Sequence, residues 1–141
     1  MYFKPLLLPL LAQVALTFLV TLVMYRRRIN EMKKRRIDPQ RLDNRKNSRD
    51  LLDSSATSAD NFSNQFEAPV LFYVAVIITL MLMLQDSVIV FLAWLYVLFR
   101  YVHSFIHITY NHVYHRFMAY ILSTLVLFAL WFRLAWIIFQ S

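Results

Sequence analysis

The 141-residue chain contains no cysteine and no glycine. Without cysteine there is no thiolate nucleophile, structural disulfide, iron–sulfur cluster or c-type haem attachment. Without glycine there is no Gly-rich phosphate loop, Walker motif or dinucleotide fingerprint. Close helix contacts inside a membrane then fall to Ala, Ser and Thr. Proline occurs four times, and Asp and Glu together eight times against 15 Lys and Arg. What the chain does have is apolar: 60% of its residues are hydrophobic and 16% are charged. That is the profile of a small polytopic membrane protein.

The formal net charge of +7 is concentrated, with 11 of the 15 basic residues between Arg26 and Arg49, directly after an apolar run. Glu31, Asp38 and Asp43 interrupt the block, and no nucleic-acid motif accompanies it, so no nucleic-acid partner is expected. Juxtamembrane basic blocks mark the cytoplasmic face and attract anionic headgroups, which makes membrane lipids the expected partners.

Four apolar runs are long enough to cross a bilayer, for which about 20 residues suffice. They predict helices over 5–25, 62–84, 88–110 and 116–139, in one domain spanning 1–141 with a basic loop over 26–60. The first run lacks a small-residue cleavage site and reads as a retained helix, not a signal peptide. The helix can continue through Arg36, Asp38-Pro39 breaks it, and Ser54 to Ser58 reads as loop. Pro69 suits an N-terminal turn or a kink in the second span. The short Gln85-Asp86-Ser87 turn makes the second and third spans an antiparallel hairpin. The fold class is therefore an all-α, up-down bundle of four transmembrane helices. The positive-inside rule places the long basic loop and the 111–116 connection in the cytoplasm and both termini opposite. The absence of cysteine and of a targeting peptide fits a bacterial inner membrane.

Polar residues inside these runs are the costly feature, at about 2.5–3.5 kcal/mol for each charge on insertion scales. Asp60, Asn64 and Glu67 fall at i, i+4 and i+7, on one helical face. Arg100, His103, His107 and Asn111 fall at i, i+3, i+7 and i+11, with Tyr110 alongside. In a hairpin, the start of the second span and the end of the third share one depth. A buried Glu67 requires a partner, and Arg100 or a protonated imidazole is the natural one. The pair His103 and His107 has metal-compatible spacing, but no carboxylate lies near it in sequence and no metal is expected. His112 and His115 read as polar anchors at the membrane surface. Arg133, near the far end of the fourth span, is expected to snorkel. Ser104 follows His103 directly, and adjacent residues on a helix do not face each other, so no hydrolase triad assembles.

The four spans, Asn64-x-x-Glu67 followed by Pro69, and Arg100-x-x-His103 at the end of the third span resemble the MAPEG family. These are the membrane-associated proteins in eicosanoid and glutathione metabolism. The nearest likeness is to the microsomal prostaglandin E synthase branch, whose third helix carries Arg-x-x-His-x-x-x-Tyr. An Arg and then a Tyr four residues later follow there at the start of the fourth helix. Arg100, His103, His107, Arg116 and Tyr120 occupy that pattern without a gap.

The resemblance implies a homotrimer with sites between subunits near the cytoplasmic face, where glutathione binds and attacks or reduces a lipophilic small molecule. It implies that Arg116 stabilises the glutathione thiolate, by lowering the thiol pKa. Asn64 and Glu67 then contact the glutathione backbone, and His103 and Tyr120 complete the pocket. The chain departs from the pattern at Asp60 and Ser63, where glutathione-binding members carry arginines. It departs again at His107, which replaces a Tyr, and at Phe117, which replaces a Ser. Arg26, Arg27 or Arg28 is then expected to supply part of the missing charge. The expected function is a glutathione- or thiol-dependent transferase or peroxidase. The alternative is a non-enzymatic protein of the same fold whose polar pocket, including Asp60 and Arg100, binds lipid or another ligand.

Overall fold

The computed structural model describes residues 4–42, 47 and 50–140. Among these the regular structure is entirely helical: α1 (Lys4–Arg35), a 3-10 turn (Pro39–Leu42), α2 (Asp53–Asn64), α3 (Ala68–Met81), α4 (Ser87–Ile108) and α5 (Val113–Gln140). Four stretches are long and apolar enough to span a membrane: 5–35, 53–81, 87–108 and 113–140. The chain is thus a multi-pass, four-helix membrane bundle.

At about 1.5 Å per residue, the 32 residues of α1 outreach the hydrocarbon layer, so its basic end projects beyond the apolar zone. Lys33, Lys34 and Arg35 form its last turn, where cations offset the negative end of the helix dipole. Asp38 Oδ1 then accepts from the Gln40 amide at 2.9 Å and sets the turn that follows.

The lack of glycine shows directly at helix ends. Left-handed residues that usually are glycine are here Arg36 (φ 52°), Met83 (φ 53°) and Asn111 (φ 45°). After α3, the Leu84 amide donates to the Thr79 carbonyl and the Met83 amide to that of Leu80, the Schellman pattern with methionine in the glycine position.

Two expectations are corrected here. The serine-rich 54–58 stretch is helix, not loop, and the expected second span divides into α2 and α3. Leu52, at the N-cap of α2, makes no side-chain cap bond. Instead Glu31 of α1 accepts from the Ser54 and Ser55 amides at 3.1 and 2.9 Å, a cap supplied by another helix. Ser55, Ser58 and Asn61 are the buried residues of α2, a small-residue face that lets it approach α1 closely. The break at 65–67 precedes Pro69, whose ring clashes with the carbonyl four residues earlier and which sits comfortably in the first turn of α3.

The apolar core lies between α3, α4 and α5, with Leu6 added from α1. Ala75 and Ala93 are fully buried in this core, and its closest helix pairing is that of α4 with α5. Phe72 stacks on Tyr96 with ring centroids 4.6 Å apart. Outward-facing large residues such as Phe18, Phe91, Phe128 and Phe132 remain exposed, as a lipid-facing surface requires. Arg133 does not simply snorkel. Its Nη2 donates to Asp86 Oδ2 at 2.7 Å, while Asp86 Oδ1 accepts from the Ile89 amide and caps α4.

Candidate functional site

The end of α4 and the start of α5 converge on one guanidinium. Arg116 lies in the first turn of α5, which carries no acidic residue. Its Nη1 donates to Asn111 Oδ1 at 2.8 Å and to His107 Nε2 at 3.3 Å. The His103 Nδ1 lies 3.1 Å from the Arg116 carbonyl. A carbonyl only accepts, so this nitrogen carries the proton and Nε2 of His103 is left as an acceptor. At His107, Nε2 receives the Arg116 proton, which places the ring hydrogen of the neutral form on Nδ1. The Tyr120 ring lies one helical turn on, its centroid 5.8 Å from that of His103.

Arg116 is thus gripped at both its backbone and its side chain by residues from the preceding helix and turn. Only Nη1 is engaged among the described residues, leaving the rest of a half-buried guanidinium uncommitted. A cation at the positive end of a helix dipole is a place for an anion.

Deeper along the same face of α4, Arg100 is fully buried. Its Nη2 donates to the Asn64 carbonyl at 3.0 Å, at the end of α2. The expected Glu67–Arg100 ion pair is not formed, since Glu67 sits exposed at the α2–α3 break. The reason is the break itself, which turns Glu67 outward while leaving an orphan helix-terminal carbonyl for Arg100 to satisfy. Among the described residues, Arg100 Nε and Nη1, Tyr96 Oη, His103 Nε2 and His107 Nδ1 have no hydrogen-bond partner, a row of unsatisfied polar atoms on one stripe of α4.

Asn64 therefore contributes its backbone, and Asp60 is half-buried on α2. Tyr110 points elsewhere: its exposed hydroxyl meets His115 Nδ1 at 3.2 Å. His112 and His115 are exposed, with ring centroids 4.5 Å apart. No group of three metal-ligating residues occurs among the described residues.

Sequence reasoning singled out Asp60, Asn64 and Glu67, whereas the buried polar residues at the end of α2 and in the break after it are Asn61 and Gln65. Ser104 Oγ donates to Asn61 Oδ1 at 3.2 Å, Gln65 Nε2 donates to Ser104 Oγ at 3.2 Å, and Gln13 Nε2 donates to Gln65 Oε1 at 3.2 Å. This four-residue network ties α1, α2 and α4 together. Gln13, a lone amide in the first apolar run, was the available signal. Arg27 is likewise spent inside the subunit, on Ser58 Oγ at 3.0 Å and on the Ile108 carbonyl at 2.6 Å, which caps the C-terminus of α4.

A model of the MAPEG family matches residues 6–136. The chain belongs to the MAPEG family, consistent with its four membrane-spanning helices. No curated protein and no solved structure matches it.

Proposed function

We propose that this chain is the subunit of a glutathione- or thiol-dependent membrane transferase or peroxidase, with Arg116 as the group that stabilises the thiolate. The carrying observation is the three-way grip on Arg116 by His103, His107 and Asn111 at the N-terminus of α5. A fixed guanidinium and a helix N-terminus act on the same anion. Together they lower a thiol pKa from its free value of about 8.5 toward neutrality, so that more thiolate is present to attack a lipophilic electrophile. Tyr120, beside His103, is the second residue assigned to the reacting end.

The donor set fits glutathione chemically. Its carboxylates and thiolate are acceptors for uncommitted guanidinium hydrogens, and its ammonium suits the exposed carboxylate of Glu67. Asn64 and Arg100 stand behind this surface as the clamp that fixes the end of α2. His103 and His107 act as positioning residues for Arg116. The site is completed between neighbouring subunits of a homotrimer, with the basic loop in the cytoplasm and both termini opposite.

Isothermal titration of the detergent-solubilised chain with millimolar glutathione, paired with conjugation of an aryl halide, tests this reading. Saturable binding is expected, with conjugation falling about ten- to a thousand-fold in Arg116→Ala at a pH below the thiol pKa, as loss of one to three pKa units implies. Arg116→Lys should retain part of that activity. A native chain that binds no glutathione, conjugates nothing and retains only phospholipid would overturn the reading in favour of a non-enzymatic ligand-binding member.

A further inference from the structure

The apolar run of α1 ends at Tyr25, yet the helix continues to Arg35. Arg27, Asn30, Glu31, Lys34 and Arg35 recur at i, i+3, i+4, i+7 and i+8, one stripe of that extension. With Ser54 of α2 they line a groove of about 290 Å³.

Glu31, the one carboxylate among the described lining residues, is already consumed by the Ser54 and Ser55 amides and by Arg35 Nη2 at 3.4 Å. Arg27 is anchored on Ser58 and the Ile108 carbonyl, and Arg35 Nη1 on the Leu51 carbonyl at 3.0 Å. The frame is thus fixed and keeps a positive balance. Lys34 and Asn30 are exposed on it, and their side chains make no hydrogen bond or ion pair among the described residues. Ser54 stands at the same wall, its hydroxyl turned to the Glu31 carboxylate.

The groove's depth indicates the source of its ligand. A helix from Pro5 to Tyr25 covers the hydrocarbon layer of about 30 Å, so the groove opens at headgroup level. Side chains on a helix tilt toward its N-terminus, which leads the Lys34 ammonium back toward the membrane surface.

We infer that this groove is a discrete binding site for the phosphate of an anionic membrane lipid. Lys34 and Asn30 donate to its oxygens, and Arg27 and Arg35 supply the field. It is separate from the Arg116 centre and does not depend on thiol chemistry.

Native mass spectrometry of the full chain, offered phosphatidylglycerol and phosphatidylcholine in equal amounts, tests it. One phosphatidylglycerol is expected to be retained per chain. Its preference over phosphatidylcholine should fall about five-fold in Lys34→Gln and about 25-fold in Lys34→Glu, as removal and reversal of one surface charge imply. Lys33→Glu, on the neighbouring exposed residue outside the groove, should leave the preference within about two-fold of the native chain. Equal losses in Lys33→Glu and Lys34→Glu would overturn the site, since a diffuse charge layer treats the two lysines alike. No native preference would also overturn it. Displacement of the lipid by millimolar inorganic phosphate would overturn the assignment to a membrane lipid.

Discussion

Arg100→Met is the substitution that most sharply tests how the buried polar face of α4 is held. The native guanidinium makes one charged hydrogen bond, to the Asn64 carbonyl at 3.0 Å, worth about 1.5–3 kcal/mol. Against it stand two buried nitrogens, Nε and Nη1, without partners, each costing about 1–3 kcal/mol. Methionine keeps an unbranched apolar stem, shorter than arginine, and removes the two orphan nitrogens. It leaves the Asn64 carbonyl without its donor, which is the loss of the bond already counted. The balance leaves Arg100→Met level with the native chain or up to about 2 kcal/mol more stable. Arg100→Ala, which leaves a void where a fully buried side chain stood, should lose about 2–5 kcal/mol. Reversible unfolding in mixed micelles, followed by circular dichroism, reads both values. A loss of about 3–5 kcal/mol in Arg100→Met would refute the reasoning, because that is the cost of breaking a compensated buried pair. It would mean that the guanidinium holds an anion supplied from outside the subunit.

Met83→Gly should raise stability by about 1 kcal/mol in the same assay, because it relieves a left-handed residue at φ 53° while removing a side chain that is 71% exposed. Glu31→Ala should cost about 1–2 kcal/mol and speed hydrogen exchange at the Ser54 and Ser55 amides, with the remainder of α1 unchanged. The Arg133 hydrogen bond holds the Asp86 carboxyl below its ordinary value of 3.8. Its stabilisation is present above that value and is lost as pH falls through the lowered one. As pH falls below about 4, the native melting temperature should therefore drop by more than that of Asp86→Asn. Equal acid sensitivity of the two chains would remove Asp86 from the account.

The elements that the sequence disclosed are those with local causes. Runs of apolar residues announce four spans because each must bury its own backbone in lipid, whatever its neighbours do. The i, i+3, i+7 pattern of Arg100, His103 and His107 announces a shared face because helical geometry alone sets it. Errors arose where the cause was distant. The serine stretch reads as loop by composition, and becomes helix because a carboxylate 23 residues earlier in the chain caps it. The buried polar pair Asn61 and Gln65, one residue on from Asp60 and Asn64, went unseen because nothing in the local sequence marks it as buried. A shift of one residue turns a helix face by about 100°, and only packing against α1 and α4 decides that rotation.

By itself, the sequence determined a four-span membrane protein, the concentration of its charge after the first span, and the shared helical face of Arg100, His103 and His107. The absence of glycine also meant that any left-handed helix end had to be another residue, and the structure places Arg36, Met83 and Asn111 there. Tertiary structure decided the partners: Arg100 to the Asn64 carbonyl and not to Glu67, Arg133 to Asp86, Arg27 to the end of α4, and Glu31 to the start of α2. The physical reason is common to all four. A polar group leaving water takes whichever partner the packed helices bring within about 3 Å, and that distance is a property of the assembled bundle and not of any one segment.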